Sequence, residues 1–239
     1  MSLHVGTSGW SYPEWRPAFY PSGLPRARFL EYYASRLGAC EVNVTAHRLQ
    51  GAGAVAAWAR AAAPGFRFVC KVHRGVTHRE GAVPVGLAER FAASLAPLGD
   101  ALAGVLVQFP EERARDDALA TRVMELLAPV GPVVMEFRHP SWDEPAVREA
   151  VAAAGGTTCL THTEGPPPGR LPPGPLAYVR LRADAYPEPE RSRWRDLLRR
   201  EAATRPVVAI ARHRDLPPDD PHSGLGLARW MEDAAPDRG

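Results

Sequence analysis

The sequence predicts an α/β protein, a single (β/α)8 barrel of the TIM type spanning residues 1–239. Apolar runs of strand length alternate with stretches of helical periodicity, the pattern of a parallel sheet with helices on its outer face. The alternation repeats eight times within 239 residues, an ordinary size for such a barrel. Strand after strand also ends in polar or charged residues, at the end where this fold builds its sites. A doubly wound open sheet is the competing architecture. It more often has about five or six strands and a glycine fingerprint after the first, which Gly6-Thr7-Ser8-Gly9 does not match.

Leu3 to Thr7 reads as strand one, and the chain turns at Gly9. A helix follows from Arg26, with Phe29, Tyr33 and Leu37 on one face and Gly38 at its end. Residues 39–43 form strand two, and the next helix carries Val55, Trp58 and Ala62 before Pro64-Gly65 stops it. Strand three covers 66–73, followed by a helix with the stripe Leu87, Phe91, Leu95 and Leu98. Strand four is 104–110; its helix starts near Asp116 and turns Leu119, Val123 and Leu126 inward. Strand five opens the run from Val133 to Trp142, and Pro145 suits the first turn of the helix after it, with Val147 and Val151 inside. Strand six is 157–161. A Pro/Gly-rich loop over about 164–175 then takes the place of a helix. Strand seven (176–181) precedes a helix around Trp194, Leu197 and Leu198, and strand eight (206–211) a last helix with Leu227, Trp230 and Met231.

The apolar share of 45% is ample for a core, and a net charge of +2 gives no global signal for nucleic acid or membrane. No apolar run approaches the ~20 residues of a membrane helix. Met1 to Val5 has neither a charged nor an apolar leader region. Cys40, Cys70 and Cys159 each fall inside a predicted strand and outside any CxxC, as reduced core thiols do, so the expected location is the cytoplasm.

The strand ends carry the functional reading. In order they present Thr7 and Ser8, Glu41 and Asn43, Lys71 and His73, Gln108, Glu136 and Arg138, His162, Arg180 and Arg182, then Arg212 and His213. Residues two apart share a face of a strand, so Glu136 and Arg138 should both face the buried side. The cations outnumber the carboxylates, and a small phosphorylated or carboxylated ligand would balance them. Glu41 or Glu136 would then serve as general acid or base, with Lys71 adjusting its pKa. Arg138, Arg180 and Arg182 would clamp the anion, and Asn43 and Gln108 would orient it. His73 completes the polar set, and Trp10, Tyr12 and Trp142 offer an apolar wall or a stacking surface.

Other readings stay open. Glu41, Lys71, Glu136 and Arg180 could form a salt-bridge network that only plugs the barrel. His73 and His78 could be ordinary loop histidines, and Trp10 and Trp142 could cap the barrel mouth. Glu41, His73, Glu136 and His162 could approach a metal from separate strands, but no local ligand spacing supports one, and no metal or cofactor is assigned. There is no GxSxG elbow for a Ser-His-Asp triad. Gly224-Leu225-Gly226 could hold a phosphate on backbone N–H groups or simply open a helix. A nucleic-acid-processing barrel, its bases tracking phosphates and its aromatics stacking, is the alternative function, though the near-neutral charge weighs against it. A non-catalytic ligand-binding protein is a third reading, and the oligomeric state is not specified.

The motifs, taken together, resemble a known family. They are Gly6-Thr7-Ser8-Gly9-Trp10-Ser11-Tyr12, Phe19-Tyr20-Pro21, Glu41-Val42-Asn43 with Thr45, and Phe66 to Lys71 with Thr77-His78. Val107 to Pro110, Glu136 to His139 with Ser141-Trp142, and Tyr178 to Leu181 complete the set. The combination, from residue 5 to about 230, resembles the DUF72 or YecE-like proteins. That resemblance implies a TIM-type barrel and no established activity. The chain departs from the family's usual pattern at Ala46-His47, Arg182-Ala183 and Arg212-His213-Arg214; two of these mouth loops move toward positive charge.

Overall fold

A computed structural model describes residues 2–79 and 81–232, so the ends of the expected 1–239 domain lie outside the described residues. The strands are β1 (Leu3–Ser8), β2 (Ala39–Val42), β3 (Arg67–Lys71), β4 (Leu102–Phe109), β5 (Val133–Phe137), β6 (Thr157–Thr158), β7 (Leu160–His162), β8 (Ala177–Leu181) and β9 (Val207–Ala211). All pair in parallel, in the order β6-β5-β4-β3-β2-β1-β9-β8-β7. The expected sixth strand is broken at Cys159. Its first half pairs with β5 and its second with β8, so the break passes the hydrogen bonding from one neighbour to the other. The result is a nearly closed TIM-like barrel. Cys159 therefore sits between strands; all three cysteines are buried and free.

The helices are α1 (Phe29–Ala34), α2 (Ala52–Ala61), α3 (Arg74–Thr77), α4 (Val85–Leu95), α5 (Asp117–Leu127), α6 (Pro145–Ala153), α7 (Glu188–Ala202) and α8 (Gly224–Glu232). Asp116 caps α5 by accepting from the Leu119 N–H at 2.9 Å, and Pro145 opens α6 where its missing N–H costs nothing. Three expectations need adjustment. α1 ends at Ala34, short of Gly38. α5 buries Ala120, Val123, Met124 and Leu127, a face rotated from the expected Leu119–Val123–Leu126 stripe. Of the α2 residues read as core, only Val55 is fully buried. The Pro/Gly-rich loop contains neither helix nor strand, and α7 and the turn after it pin it: Glu201 accepts from the Leu171 N–H at 3.2 Å, and Arg205 donates to the Gly174 carbonyl at 3.0 Å. No helix among the described residues is long and apolar enough to cross a membrane.

Strand alternation sorts the side chains into two sets. Cys40, Val42, Phe68, Cys70, Val105, Val107, Val133, Met135, Val179 and Ala209 join the outer core under the helices. Ala39, Val69, Leu106, Val134, Tyr178, Val208 and Ile210 pack together inside the barrel. Two residues beyond these inner apolar positions come Glu41, Lys71, Gln108, Glu136, Arg180 and Arg212. An apolar floor with a polar layer above it follows from that spacing. Gly6 allows β1 its place in the wall: a Cβ there would stand 1.7 Å from the Ala39 carbonyl oxygen. The close approach puts Ser8 in register with Glu41.

Candidate functional site

The polar layer has a lower and an upper part. In the lower part Glu41 is fully buried and surrounded by donors. Tyr178 Oη donates to its Oε2 at 2.7 Å, while Asn43 Nδ2 and Arg180 Nη2 each donate to Oε1 at 3.1 Å. Arg182 Nη2 adds a longer contact to Oε1 at 3.3 Å. Burial alone would push this carboxyl up. The charges of Arg180 and Arg182 and the Tyr178 and Arg180 hydrogen bonds outweigh that penalty and hold Glu41 at about 2. Burial acts on Arg180 in the opposite sense to its two carboxylate neighbours, and the carboxylates win, raising its pKa. Arg182 goes the other way, because burial outweighs its single carboxylate partner. Guanidinium groups remain protonated under either shift, so two cations face Glu41, and Arg180 extends the set to Glu136.

In the upper part Glu136 is 3% exposed and borders open space. Arg180 Nη1 donates to its Oε1 at 2.7 Å and Thr161 Oγ1 to the same atom at 3.1 Å. Gln108 Nε2 donates to Oε2 at 2.5 Å, and Lys71 Nζ donates to Gln108 Oε1 at 2.8 Å. Lys71 therefore fixes which end of the Gln108 amide faces Glu136. Burial, and then the nearby Arg180 charge, lower the Lys71 pKa. Above this layer lies a cavity of about 600 Å³, bordered by Glu136, Arg138, Thr161, Arg180, Arg182 and Arg212 among others. Four guanidinium groups line it against two carboxylates, the buried Glu136 and the exposed Glu111, so the lining keeps surplus positive charge.

A second hollow, of about 480 Å³, lies beside the first. Ser8 lines both. Tyr12 lines the second and stacks on His213, which lines the first, with ring centroids 3.7 Å apart. The Tyr12 hydroxyl donates to the Ser8 carbonyl. Trp10 and Trp58 meet edge to face in this second hollow, centroids 5.7 Å apart and planes at 81°.

The structure thus brings Glu41, Asn43, Lys71, Gln108, Glu136, Arg180 and Arg182 into one connected network, with Arg138 at its rim. Trp10 and Tyr12 stand in the neighbouring hollow. Several sequence expectations are corrected. Arg138 does not share the burial of Glu136: β5 ends at Phe137, and the Arg138 side chain is 44% exposed, 4.0 Å from Glu136 Oε1. His73 borders neither hollow; its Nδ1 accepts from the Gly75 N–H and caps α3. Trp142 is buried, stacks on Phe137 at 4.0 Å and donates to the Arg113 carbonyl, so it supports the wall from behind. His162 is held by Tyr186 Oη and the Gly165 carbonyl, away from Glu41 and Glu136. Among the described residues no three His, Cys, Asp or Glu side chains lie close enough to share a metal ion. Gly224 is explained by packing, since a Cβ there would meet the Arg212 carbonyl at 1.9 Å, and the Gly226 N–H is taken by Ser223 Oγ at 2.8 Å.

Three contributors escaped the sequence reading. Tyr178 lies two residues before Arg180 on the same face, a spacing that was there to be read. Thr161 depended on the phase of a strand that proves to be broken. Trp58 looked like core because its helical spacing fits either role.

Comparison with known proteins places this architecture. The sequence pattern described as "Protein of unknown function DUF72" matches residues 4–235. A solved DUF72 family protein from Thermotoga maritima superposes with a TM-score of 0.74 at 23% identity, covering 97% of this chain and 96% of that one. A DUF72 family protein from Enterococcus faecalis V583 gives 0.75 at 18% identity, with 97% and 96% coverage. At such identities the likeness speaks for the fold alone. No curated protein matches the chain.

Proposed function

Because the chain belongs to the DUF72 family, whose function is unknown, its chemistry has to come from its own cavity, and we propose an enzyme that acts on a small phosphorylated or carboxylated substrate there. The observation that carries this reading is the excess of guanidinium groups around a cavity at the C-terminal ends of the strands. Arg138 and Arg212 are exposed at the rim and neither is committed to Glu41. Their planar donor forks suit phosphate or carboxylate oxygens. Arg182 contributes charge from below while Ser8 Oγ accepts one of its N–H groups at 2.9 Å.

Within that site Glu136 is the proton-transfer group. Its carboxylate borders the cavity, and Gln108, Thr161 and Arg180 fix its orientation. A substrate proton within hydrogen-bond reach of Glu136 could be taken up while Arg138 and Arg212 hold the anion. Glu41 is a positioning residue: a carboxylate held at about 2 and shut off from the cavity is too weak a base to serve near neutral pH. Lys71 acts through Gln108 in the same way.

Isothermal titration with inorganic phosphate and with acetate, at constant ionic strength, tests the binding half. One saturable site is expected for at least one of them. The catalytic half is tested by screening phosphorylated and carboxylated small molecules for conversion. Glu136→Gln should retain anion binding and lose turnover. Absence of saturable binding by either anion, or full turnover in Glu136→Gln, would overturn the reading.

A further inference from the structure

Resting on the anion-binding reading above, we infer that the substrate carries a flat aromatic ring joined to its anionic group, with the ring seated in the hollow lined by Trp10 and Trp58 and the anion in the neighbouring cavity. The two hollows share Ser8, and the Tyr12–His213 stack joins a wall of one to a wall of the other. A molecule that grips the guanidinium rim therefore has its remainder close to the second hollow.

The chemistry of that hollow selects a ring. The nearly perpendicular Trp10 and Trp58 planes leave a corner in which a third ring can lie on one face and point its edge at the other. Three polar groups of the lining are already paired: the Tyr12 hydroxyl with the Ser8 carbonyl, Asn43 Nδ2 with Glu41, and Gln50 Nε2 with the Arg48 carbonyl. Val44, at 38% exposure the large hydrophobic residue left exposed among those described, stands on the rim of the hollow, where an apolar group would cover it. Arg48 is exposed beside it and can lie against the ring's outer face.

Titration with inorganic phosphate and with phenyl, benzyl and 2-phenylethyl phosphate tests the inference across several ring-to-anion spacings. Cyclohexylmethyl phosphate serves as the non-planar control. At least one aromatic ester should bind about tenfold tighter than inorganic phosphate, the gain expected from a well-packed ring, and tighter than the cyclohexyl ester. Ala54→Trp, at an exposed α2 position bordering the hollow, should remove that gain and leave inorganic phosphate binding unchanged. Trp58→Phe, which keeps the fold's apolar contacts, should reduce it. Phosphate that binds with no advantage to any aromatic ester overturns the ring inference alone, and so does an equal gain for the cyclohexyl ester. Failure of phosphate itself to bind, with no aromatic ester binding either, overturns the anion reading beneath it.

Discussion

Two carboxylates face the axis of the same barrel and share one cation, yet they occupy different kinds of place. Glu41 is enclosed, touched by Tyr178, Asn43, Arg180 and Arg182, and reaches no solvent. Glu136 accepts from Arg180 as well, but one side of it meets open space lined with further guanidinium groups. Height above the apolar floor makes the difference. A charge sealed among partners serves stability, because separating it from them would strand opposite charges in a low dielectric. A charge held just as firmly but open on one side can meet a substrate.

The comparison is most easily broken through Glu41. Glu41→Ala leaves Arg180 and Arg182 buried with one carboxylate between them, and should cost about 3–5 kcal/mol in urea unfolding. Glu136→Gln keeps an acceptor for Thr161 and Arg180 but turns an N–H2 toward that of Gln108, and should cost less than Glu41→Ala, about 1.5–3 kcal/mol. A larger loss at Glu136 than at Glu41 would reverse the assignment.

Acid titration sharpens the same point. The Glu41 carboxyl is held at about 2, below its ordinary 4.5, so its contribution is fully present above 4.5 and is lost as the pH falls through 2. The loss should reach about 3 kcal/mol across that window and be missing from the pH–stability curve of Glu41→Ala. At the rim the expected effects are smaller and of another kind. Arg138→Ala should leave the melting temperature unchanged and weaken phosphate binding about tenfold. Lys71→Met should cost little in stability, under about 1 kcal/mol, because burial and Arg180 already disfavour its ammonium. Its signature should be a fall in kcat with little change in KM, from a Gln108 amide no longer held in one orientation.

Much of this was legible in the chain. The eightfold alternation gives the barrel, and the step of two from Ala39 to Glu41, Val69 to Lys71, Leu106 to Gln108 and Val134 to Glu136 gives the shared interior face. Periodicity fixes a face but not a height. Arg138 and Arg182 stand at equivalent steps beyond Glu136 and Arg180, yet their side chains are 44% and 11% exposed. The Arg182 N–H is held by the His162 carbonyl at 2.8 Å, which continues the pairing past β8 and directs the side chain inward. Arg138 lies beyond the end of β5. His73 followed local chemistry, since an imidazole just before a short helix satisfies its free N–H groups. The split of strand six at Cys159 depends on closing the sheet, a long-range constraint that no local window contains.

The central claim is that the guanidinium rim above Glu136 holds an anion. The direct measurement is a crystal structure of the protein soaked in inorganic phosphate. Tetrahedral density bonded to Arg138 and Arg212, within reach of Glu136, is the predicted result. Water alone in that cavity, with both arginines turned to bulk solvent at saturating phosphate, would contradict it.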